Sequence, residues 1–468
     1  MLEEYGYNDY EERRAQASAQ EFEQILRSRR FVFMDLVQVD EIFNYYVRTN
    51  EIGSAQKLIE YAIRSHPSSG DLYHKQARLD LELGHVDKAL GNIDTALSYS
   101  PMTAEYVLFK ADILARVDRY AEAVTLLEDF SGFFDHPEEV YLQMGNVAQI
   151  CGKTDESERF YRKALALSPT YEDALYELAF LMESDERIED AISLYHTFLD
   201  EFPYSSLVWL NLSMLYRKMG NFELALDALD YAIVVQDDLN SAWYHKGQLL
   251  QDMGRLPEAL QAYLSAVSIQ ADDLQSIYSV ADCYETLELF HEAYRYYRKA
   301  TRLDPEYLEA WLGMGSCMEQ RERYLEAINY YRRALQLDEE NMDACLSLAV
   351  CEYKLGNHHS AYFYLEQALT ANPQELSIWQ DWAELLREHG NHFGAITYLE
   401  EALKIHSQEA ELYFQIAAYC LETDQRDRGL MYLENGLVLD YESHFLLFHF
   451  DAGLMEDKEV LRMIESYA

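Results

Sequence analysis

The sequence predicts an all-α chain: a solenoid of about twelve helical hairpins with a capping helix at each end. Two ladders of small residues carry this reading. The first returns every 34 positions, at Ala55, Ala89, Ala123, Ser157, Ala191, Ala225, Ala259, Ala293, Ala327, Ala361, Ala395 and Gly429. The second runs seven positions later, at Ala62, Ala96, Ala164, Ala232, Ala266, Ala300, Ala334, Ala368 and Ala402, with Phe130, Phe198 and Gly436 as departures. No residue is inserted or lost between Leu36 and Ser443. A period this strict describes a one-dimensional stack in which each repeat packs only on its neighbours.

Taken in order, residues 1–35 read as an N-terminal tail and capping helix, 36–443 as twelve tandem repeats and 444–468 as a C-terminal cap. Glu11 to Arg30 forms a charged helix with Phe22, Ile25 and Leu26 on one side. The apolar run Phe31-Val32-Phe33-Met34 either caps the first hairpin or makes a self-association contact. The repeat Ser206–Leu239 shows the pattern of one unit. Trp209, Leu212, Ser213 and Tyr216 recur at spacings of three and four and share one helix face. Gly220-Asn221 ends that helix, because glycine readily takes the left-handed conformation a helix stop requires. A second helix follows, with Leu224, Ala225, Leu229 and Ala232 inward. Small residues at places eight, twenty and twenty-seven let the two helices approach, and bulky ones at four, eleven and twenty-four fill the space between them. The third repeat departs most, with Phe130 and Asp135 where alanine and proline are usual, so an irregularity is expected at Ser131–Pro137. After Ser443, Phe445–Phe450 precedes a helix carrying Val460, Leu461 and Ile464 at helical spacing, suited to covering the last exposed face.

These places are the signature of the tetratricopeptide repeat, and the chain resembles that family from Leu36 to Ser443. Trp243, Gly247, Ala259, Tyr263 and Ala266 match it, as do Tyr284, Ala293, Tyr297, Ala300 and Pro305. Pro67, Pro101, Pro169, Pro203, Pro305 and Pro373 hold its last marked place. The resemblance implies a right-handed superhelix with a concave groove, lined by places two, five and nine of each first helix. In the middle repeats that implies Leu142, Asn146, Tyr176, Phe180, Leu207, Leu210, Met214, Tyr244, Gln248, Tyr278, Asp282, Leu312, Leu346 and Val350 as the partner-binding residues. Acidic neighbours Asp71, Glu105, Glu139, Asp173, Glu309, Asp343 and Glu411 favour a ligand with basic residues flanking apolar ones. Two specialised modes of the family are not matched. The carboxylate clamp of chaperone adaptors needs Lys and Asn at places five and nine of one repeat; Asp40–Asn44 and Leu142–Asn146 are the nearest pairs. The asparagine ladder of O-GlcNAc transferase is replaced at place six by Lys75, Phe109, Gln143, Glu177, Asn211, His245 and Ser279.

Charge narrows the partner class. Against 83 Asp plus Glu stand 38 Lys plus Arg, a formal charge of −45. Nucleic acid requires clustered cations, and an anionic membrane repels such a chain, so neither is an expected partner. A basic protein is attracted and steered; the other reading is that the acidity serves solubility alone. The N-terminus lacks the basic and apolar segments of a secretory signal, and no stretch reaches the ~18–20 apolar residues of a membrane span, which suggests a cytoplasmic protein. Cys283, Cys317 and Cys351 stand 34 apart where other repeats carry Ile113, Val147, Leu181, Leu215, Leu249 and Leu385, so they read as core thiols. Equivalent places on stacked repeats lie about 8–10 Å apart, beyond the roughly 7 Å reach of a disulfide.

No phosphate-binding glycine loop, H-E-x-x-H or C-x-x-C motif occurs. His389 and His392, and the adjacent His358-His359, fall near turns without an acidic or thiol partner at fixed spacing. The basic stretches Arg295, Arg298, Lys299, Arg302 and Arg321, Arg323, Arg332, Arg333 read as solvated, salt-bridged faces of second helices. The expectation is a scaffold or adaptor, with no enzymatic role, cofactor or metal, that holds a peptide or protein segment in its groove. A self-associating homo-oligomeric scaffold and a dedicated carrier of a basic protein are the alternatives.

Overall fold

The computed structural model describes residues 2–28, 32–133, 136–372 and 374–467, and it divides into two compact units, Met1–Asn221 and Phe222–Ala468. Phe31, Asp135, Pro373 and the end of the first expected helix at Arg30 lie outside the described residues. Unit 1 contains α1 (Leu2–Ser28), α2 (Leu36–Arg48), α3 (Ile52–Ser65), α4 (Gly70–Glu82), α5 (Val86–Tyr99), α6 (Ala104–Arg116), α7 (Tyr120–Phe130), α8 (Pro137–Ile150), α9 (Thr154–Leu167), α10 (Glu172–Ser184), α11 (Ile188–Glu201) and α12 (Ser206–Lys218). Unit 2 contains α13 (Phe222–Val235), α14 (Asn240–Asp252), α15 (Leu256–Ile269), α16 (Leu274–Thr286), α17 (Phe290–Leu303), α18 (Leu308–Glu319), α19 (Tyr324–Leu337), α20 (Met342–Lys354), α21 (His358–Ala371), α22 (Leu376–Glu388), α23 (His392–Ile405), α24 (Ala410–Glu422), α25 (Arg426–Leu439), α26 (Phe445–Phe450) and α27 (Lys458–Glu465). Each unit is an all-α stack of helical hairpins whose helices pack on those next to them in sequence. The pairs from α2/α3 to α10/α11 fall in unit 1, and those from α14/α15 to α24/α25 in unit 2.

The small-residue ladders are where the helices meet. Every alanine of the first ladder, from Ala55 to Ala395, is fully buried, and so is every alanine of the second. The turn within each repeat is equally regular. Place fifteen takes a left-handed conformation twelve times: at Gly84, Gly152, Gly220, Gly254, Gly356 and Gly390, and at Asn50, Asp118, Glu186, Glu288, Glu322 and Asp424. The backbone there must turn through positive φ to end the first helix, whichever residue the sequence supplies.

A large side chain at place twenty-four wedges each hairpin, and in repeats four to nine it is tyrosine except at Leu229. A Cβ built on Gly145 would come within 2.3 Å of the Tyr161 ring, one on Gly247 within 2.5 Å of Tyr263 and one on Gly315 within 2.3 Å of Tyr331. Glycine at place eight therefore makes room for tyrosine at twenty-four in the same repeat. Where place eight is Ala281, the Tyr297 ring instead lies against Gly313 of the next repeat, 2.4 Å from where a Cβ would be. The buried hydroxyls find acceptors at place twelve. Tyr263 donates to Gln251 Oε1 (3.0 Å), Tyr297 to Glu285 Oε2 (2.6 Å) and Tyr331 to Glu319 Oε2 (2.8 Å). Burial holds the Tyr297 and Tyr331 hydroxyls far above the usual tyrosine range. Between repeats, the indole N–H at place four donates to the carbonyl at place thirty-two of the preceding repeat: Trp209 to Pro203 (2.9 Å), Trp243 to Asp237 (2.9 Å) and Trp311 to Pro305 (3.0 Å).

Cys283, Cys317 and Cys351 are fully buried, as a core place requires, and burial raises all three thiols. The third repeat is irregular: α7 stops at Phe130, and a 3-10 turn follows at Ser131–Phe133. Phe22 is buried against the first hairpin, with Ile25 and Leu26 partly covered. Met34 joins the same cluster, while the Tyr61 hydroxyl binds the Val32 backbone, accepting from N (2.6 Å) and donating to O (2.8 Å). At the far end Val460 and Ile464 of α27 bury into the last hairpins, and Leu461 is half-buried. Among the described residues no helix is long and apolar enough to cross a membrane.

Candidate functional site

First helices of successive repeats carry the residues expected to face a partner. In unit 1, α10 and α12 present one of these faces with α11 behind them. Between them lies a cleft of about 670 Å³ that brings together Tyr176, Phe180 and Met214 of the expected row. Phe180 and Met214 are 57% and 48% exposed, and Leu207, two turns earlier on the same face of α12, is 42% exposed. Side chains this exposed are not held by the hairpin core, and they lie together in one concavity.

The cleft also has polar walls. Tyr176 donates to Glu172 Oε2 (2.7 Å), and Ser205 donates to the other oxygen of the same carboxylate (2.6 Å). Tyr176 is thereby fixed in place, its hydroxyl raised mainly by burial. At one end Lys218 pairs with Glu183 at 2.8 Å. Glu177 lines the wall, and burial with the nearby Asp173 raises its carboxyl above the ordinary range. Glu177, Glu183, Tyr195, Asn211 and Lys218 were not among the expected site residues. The signal for them was present: Glu177 and Asn211 share place six, and Glu183 and Lys218 stand one repeat plus one residue apart.

The rest of the expected row is less available. Leu210 is only 7% exposed and belongs to the core, which corrects its assignment to the groove. Place five turns inward in general. Leu142 and Tyr176 pack against the core of unit 1, and Tyr244, Tyr278, Leu312 and Leu346 against that of unit 2. The reason is geometric: place five lies one position from place four and three from place eight, so it shares the hairpin-facing stripe. Place nine is better exposed at Phe180 and Met214, whereas Asn146, Gln248, Asp282 and Val350 are half-buried. Several of these are engaged internally. Asn146 Oδ1 lies 2.8 Å from the Tyr161 hydroxyl, Gln248 donates to Tyr244 (3.1 Å), Tyr244 donates to Gln275 (2.8 Å), and Asp282 accepts from Gln251 (2.9 Å). In unit 2, three of the seven expected residues, Tyr244, Gln248 and Asp282, are therefore tied up in hydrogen bonds.

Among the acidic neighbours, Glu105, Glu139, Asp173, Glu309 and Asp343 are exposed. Asp71 is tied to Lys75, which also pairs with Asp40 at 2.9 Å. The basic second-helix stretch is partly consumed by the fold: Arg332 pairs with buried Glu352 (3.1 Å), and Arg333 lies over Trp311 at 5.9 Å.

With the hairpins and this face described, the comparisons place the chain. The family model for the Cilia and flagella-associated protein 70 C-terminal domain, built of tetratricopeptide repeats, matches residues 102–345, and a tetratricopeptide repeat model matches residues 319–381. The chain belongs to the tetratricopeptide repeat family. Tetratricopeptide repeat protein 7B of Homo sapiens is 23% identical over 182 residues, covering 37% of this chain and 21% of that protein. The BBSome complex member BBS4 homolog of Drosophila melanogaster is 22% identical over 211 residues, covering 42% of this chain and 43% of that protein. The matched part thus spans less than half the length of either curated relative. Among solved structures, that of YrrB, a TPR protein with an unusual peptide-binding site, is 20% identical and covers 39% of this chain and 95% of its own, with TM-score 0.36. The APC/C hetero-tetramer Cut9-Hcn1 is 13% identical and covers 93% and 96%, also with TM-score 0.36.

Proposed function

We propose that this tetratricopeptide-repeat chain is a protein-interaction scaffold that holds a partner segment carrying apolar anchors flanked by Lys or Arg. The observation that carries the reading is the α10–α12 cleft, where exposed Phe180 and Met214 share the lining with Glu177 and Glu183, and the exposed Asp173 lies near Glu177 on α10. Repeat stacks bind proteins through such first-helix faces, and buried aromatic anchors often contribute more than about 2 kcal/mol each. The fly relative is itself named as a member of a complex.

Selection of displayed random peptides on the full chain tests this. The enriched sequences are expected to combine an apolar residue with neighbouring basic ones, and Phe180→Asp with Met214→Asp should abolish their binding while helicity and melting stay unchanged. Selected peptides that bind the double variant as well as the parent would place the binding face elsewhere. A second reading, self-association, has its own support in Phe33 and Val37, both strongly exposed near the N-terminal cap. Light scattering of a Phe33→Ser, Val37→Ser variant distinguishes it, since a dimer held by this patch would become monomeric.

A further inference from the structure

A second cleft in unit 1, about 590 Å³, opens between α3 and α5 over α4 and shares no residue with the one holding Phe180 and Met214. Asp80 and Gln76 line it and are nearly inaccessible, at 2% and 7% exposure. A buried carboxylate is costly unless a cation or several donors satisfy it. Asp80 Oδ2 accepts from Asn92 Nδ2 (2.8 Å) and weakly from Gln76 Nε2 (3.4 Å). Its other oxygen lies 4.0 Å from His85 Nδ1. Gln76 Oε1 is buried and has no hydrogen-bond partner. The cleft therefore holds a buried carboxylate, Asp80, whose hydrogen-bond donors are the amides of Asn92 and Gln76, beside one buried acceptor, Gln76 Oε1, that lacks a donor.

Unit 2 shows what such an arrangement binds. Asp80 stands at place eleven of its repeat, and Glu352 occupies the same place of another and is also buried. Asn357, at place sixteen like His85, donates to Glu352 Oε2 (2.8 Å). The cation comes from place twenty-five of the preceding repeat: Arg332 Nη2 donates to Glu352 Oε1 (3.1 Å). In the repeat before Asp80, place twenty-five is Glu60, an exposed carboxylate lining the cleft. The fold has kept the buried acid and replaced its cation with another acceptor.

We propose that the Asp80 cleft receives one guanidinium group, an arginine side chain presented by a partner protein, held by Asp80, Gln76 and Glu60 as Glu352 holds Arg332. Guanidinium suits the site because its planar fork reaches several acceptors at once, which an ammonium point charge does not. Arg64 and Lys88 also line the cleft, but both are exposed. Long cationic side chains carry their charge outward at little cost, whereas the buried acceptors are fixed in place.

The test uses the full chain and N-acetylargininamide, with N-acetylcitrullinamide at equal ionic strength as the uncharged isostere. The arginine compound should raise the melting temperature and the citrulline compound should not. Asp80→Asn keeps the volume, removes the charge, and should weaken binding roughly 10- to 100-fold. Glu60→Arg should supply the guanidinium internally, raising the melting temperature of the free chain and abolishing the response to ligand. Arg64→Gln should strengthen binding; weakening instead would mark an anion site and overturn the proposal. So would equal responses to the two compounds, or an arginine response undiminished in both Asp80→Asn and Glu60→Arg, which would assign it to the diffuse acidic surface.

Discussion

At the scale of single residues, the hairpins are specified by pairs. Gly315 and Tyr331 fit only each other's shape, since a Cβ on Gly315 would meet three ring atoms at 2.3–2.7 Å. The tyrosine cannot swing away freely, because its hydroxyl is bonded to Glu319. Gly315→Ala should therefore cost about 1–3 kcal/mol by overpacking. Tyr331→Leu should also destabilise, by losing contacts and a hydrogen bond. The double variant should be less damaged than the sum, because Ala349 with Leu365 and Ala383 with Leu399 are buried at these same two places elsewhere in the chain. A denaturant double-mutant cycle measures this, and strict additivity would show that the two side chains do not share one space. The sequence displayed both places but not their reciprocity, which depends on whether a ring leans into its own repeat or, as Tyr297 does against Gly313, into the next. The left-handed turn was similarly half-legible. Glycine announces it at Gly220, but at Glu186, Glu288 and Glu322 only the period does.

Elements are fixed by their ends. The last helix, α27, is short, and Asp457 holds its start by accepting from the backbone N–H of Glu459 (2.9 Å) and Val460 (3.2 Å). Arg426 of α25 donates to both oxygens of the same carboxylate, at 2.8 and 2.9 Å. With these donors the Asp457 carboxyl falls to about 2, led by the Arg426 bonds. Its folded value lies below the ordinary ~3.9 of a free aspartate, so its stabilising effect is complete above that range and disappears as pH falls towards 2. Hydrogen-exchange protection of α27 should decline across that acid window while the buried stretches of α24 and α25, around Phe414, Ala417, Leu433 and Leu437, remain protected. Asp457→Ala should loosen α27 at neutral pH by about 0.5–2 kcal/mol, the usual cost of a lost helix cap. Unchanged protection of α27 in that variant would mean that Val460 and Ile464 hold it by packing alone. The apolar spacing of α27 was legible in the sequence, but its tether was not: Arg426 and Asp457 stand 31 residues apart with no periodic marker. The candidate site shows the same limit. Period and place give an exposed position at Phe180 and Met214, whereas place five, read as groove-lining, faces the hairpin at Leu210.

At the scale of the whole molecule, the charge of −45 acts on whatever the clefts bind. Four successive repeats of unit 1 carry an acid at place two (Asp71, Glu105, Glu139 and Asp173) before the place becomes Leu207 on α12. Asp71 is neutralised by Lys75, whereas Glu105, Glu139 and Asp173 remain exposed. For the proposed basic ligand, these exposed acids of unit 1 would supply long-range attraction, and Phe180 the apolar contact. Steering of this kind speeds association roughly 10–10³-fold. Salt cuts it sharply, since the field decays over about 8 Å at physiological ionic strength and roughly 3 Å at 1 M. Stopped-flow association of a selected basic peptide should slow steeply with added salt. Glu139→Lys with Asp173→Lys should lower the on-rate more than it raises the off-rate, because exposed charges guide encounter while buried anchors hold the complex. Acid should act through a different residue. Glu177, its carboxyl already raised by burial and Asp173, takes up a proton at a higher pH than an ordinary glutamate and then stops attracting a cation. Affinity should consequently fall at mildly acidic pH, and Glu177→Gln should flatten that dependence. An on-rate indifferent to salt, to both reversals and to pH would leave the acidity a matter of solubility and take the basic flanks out of the proposed ligand.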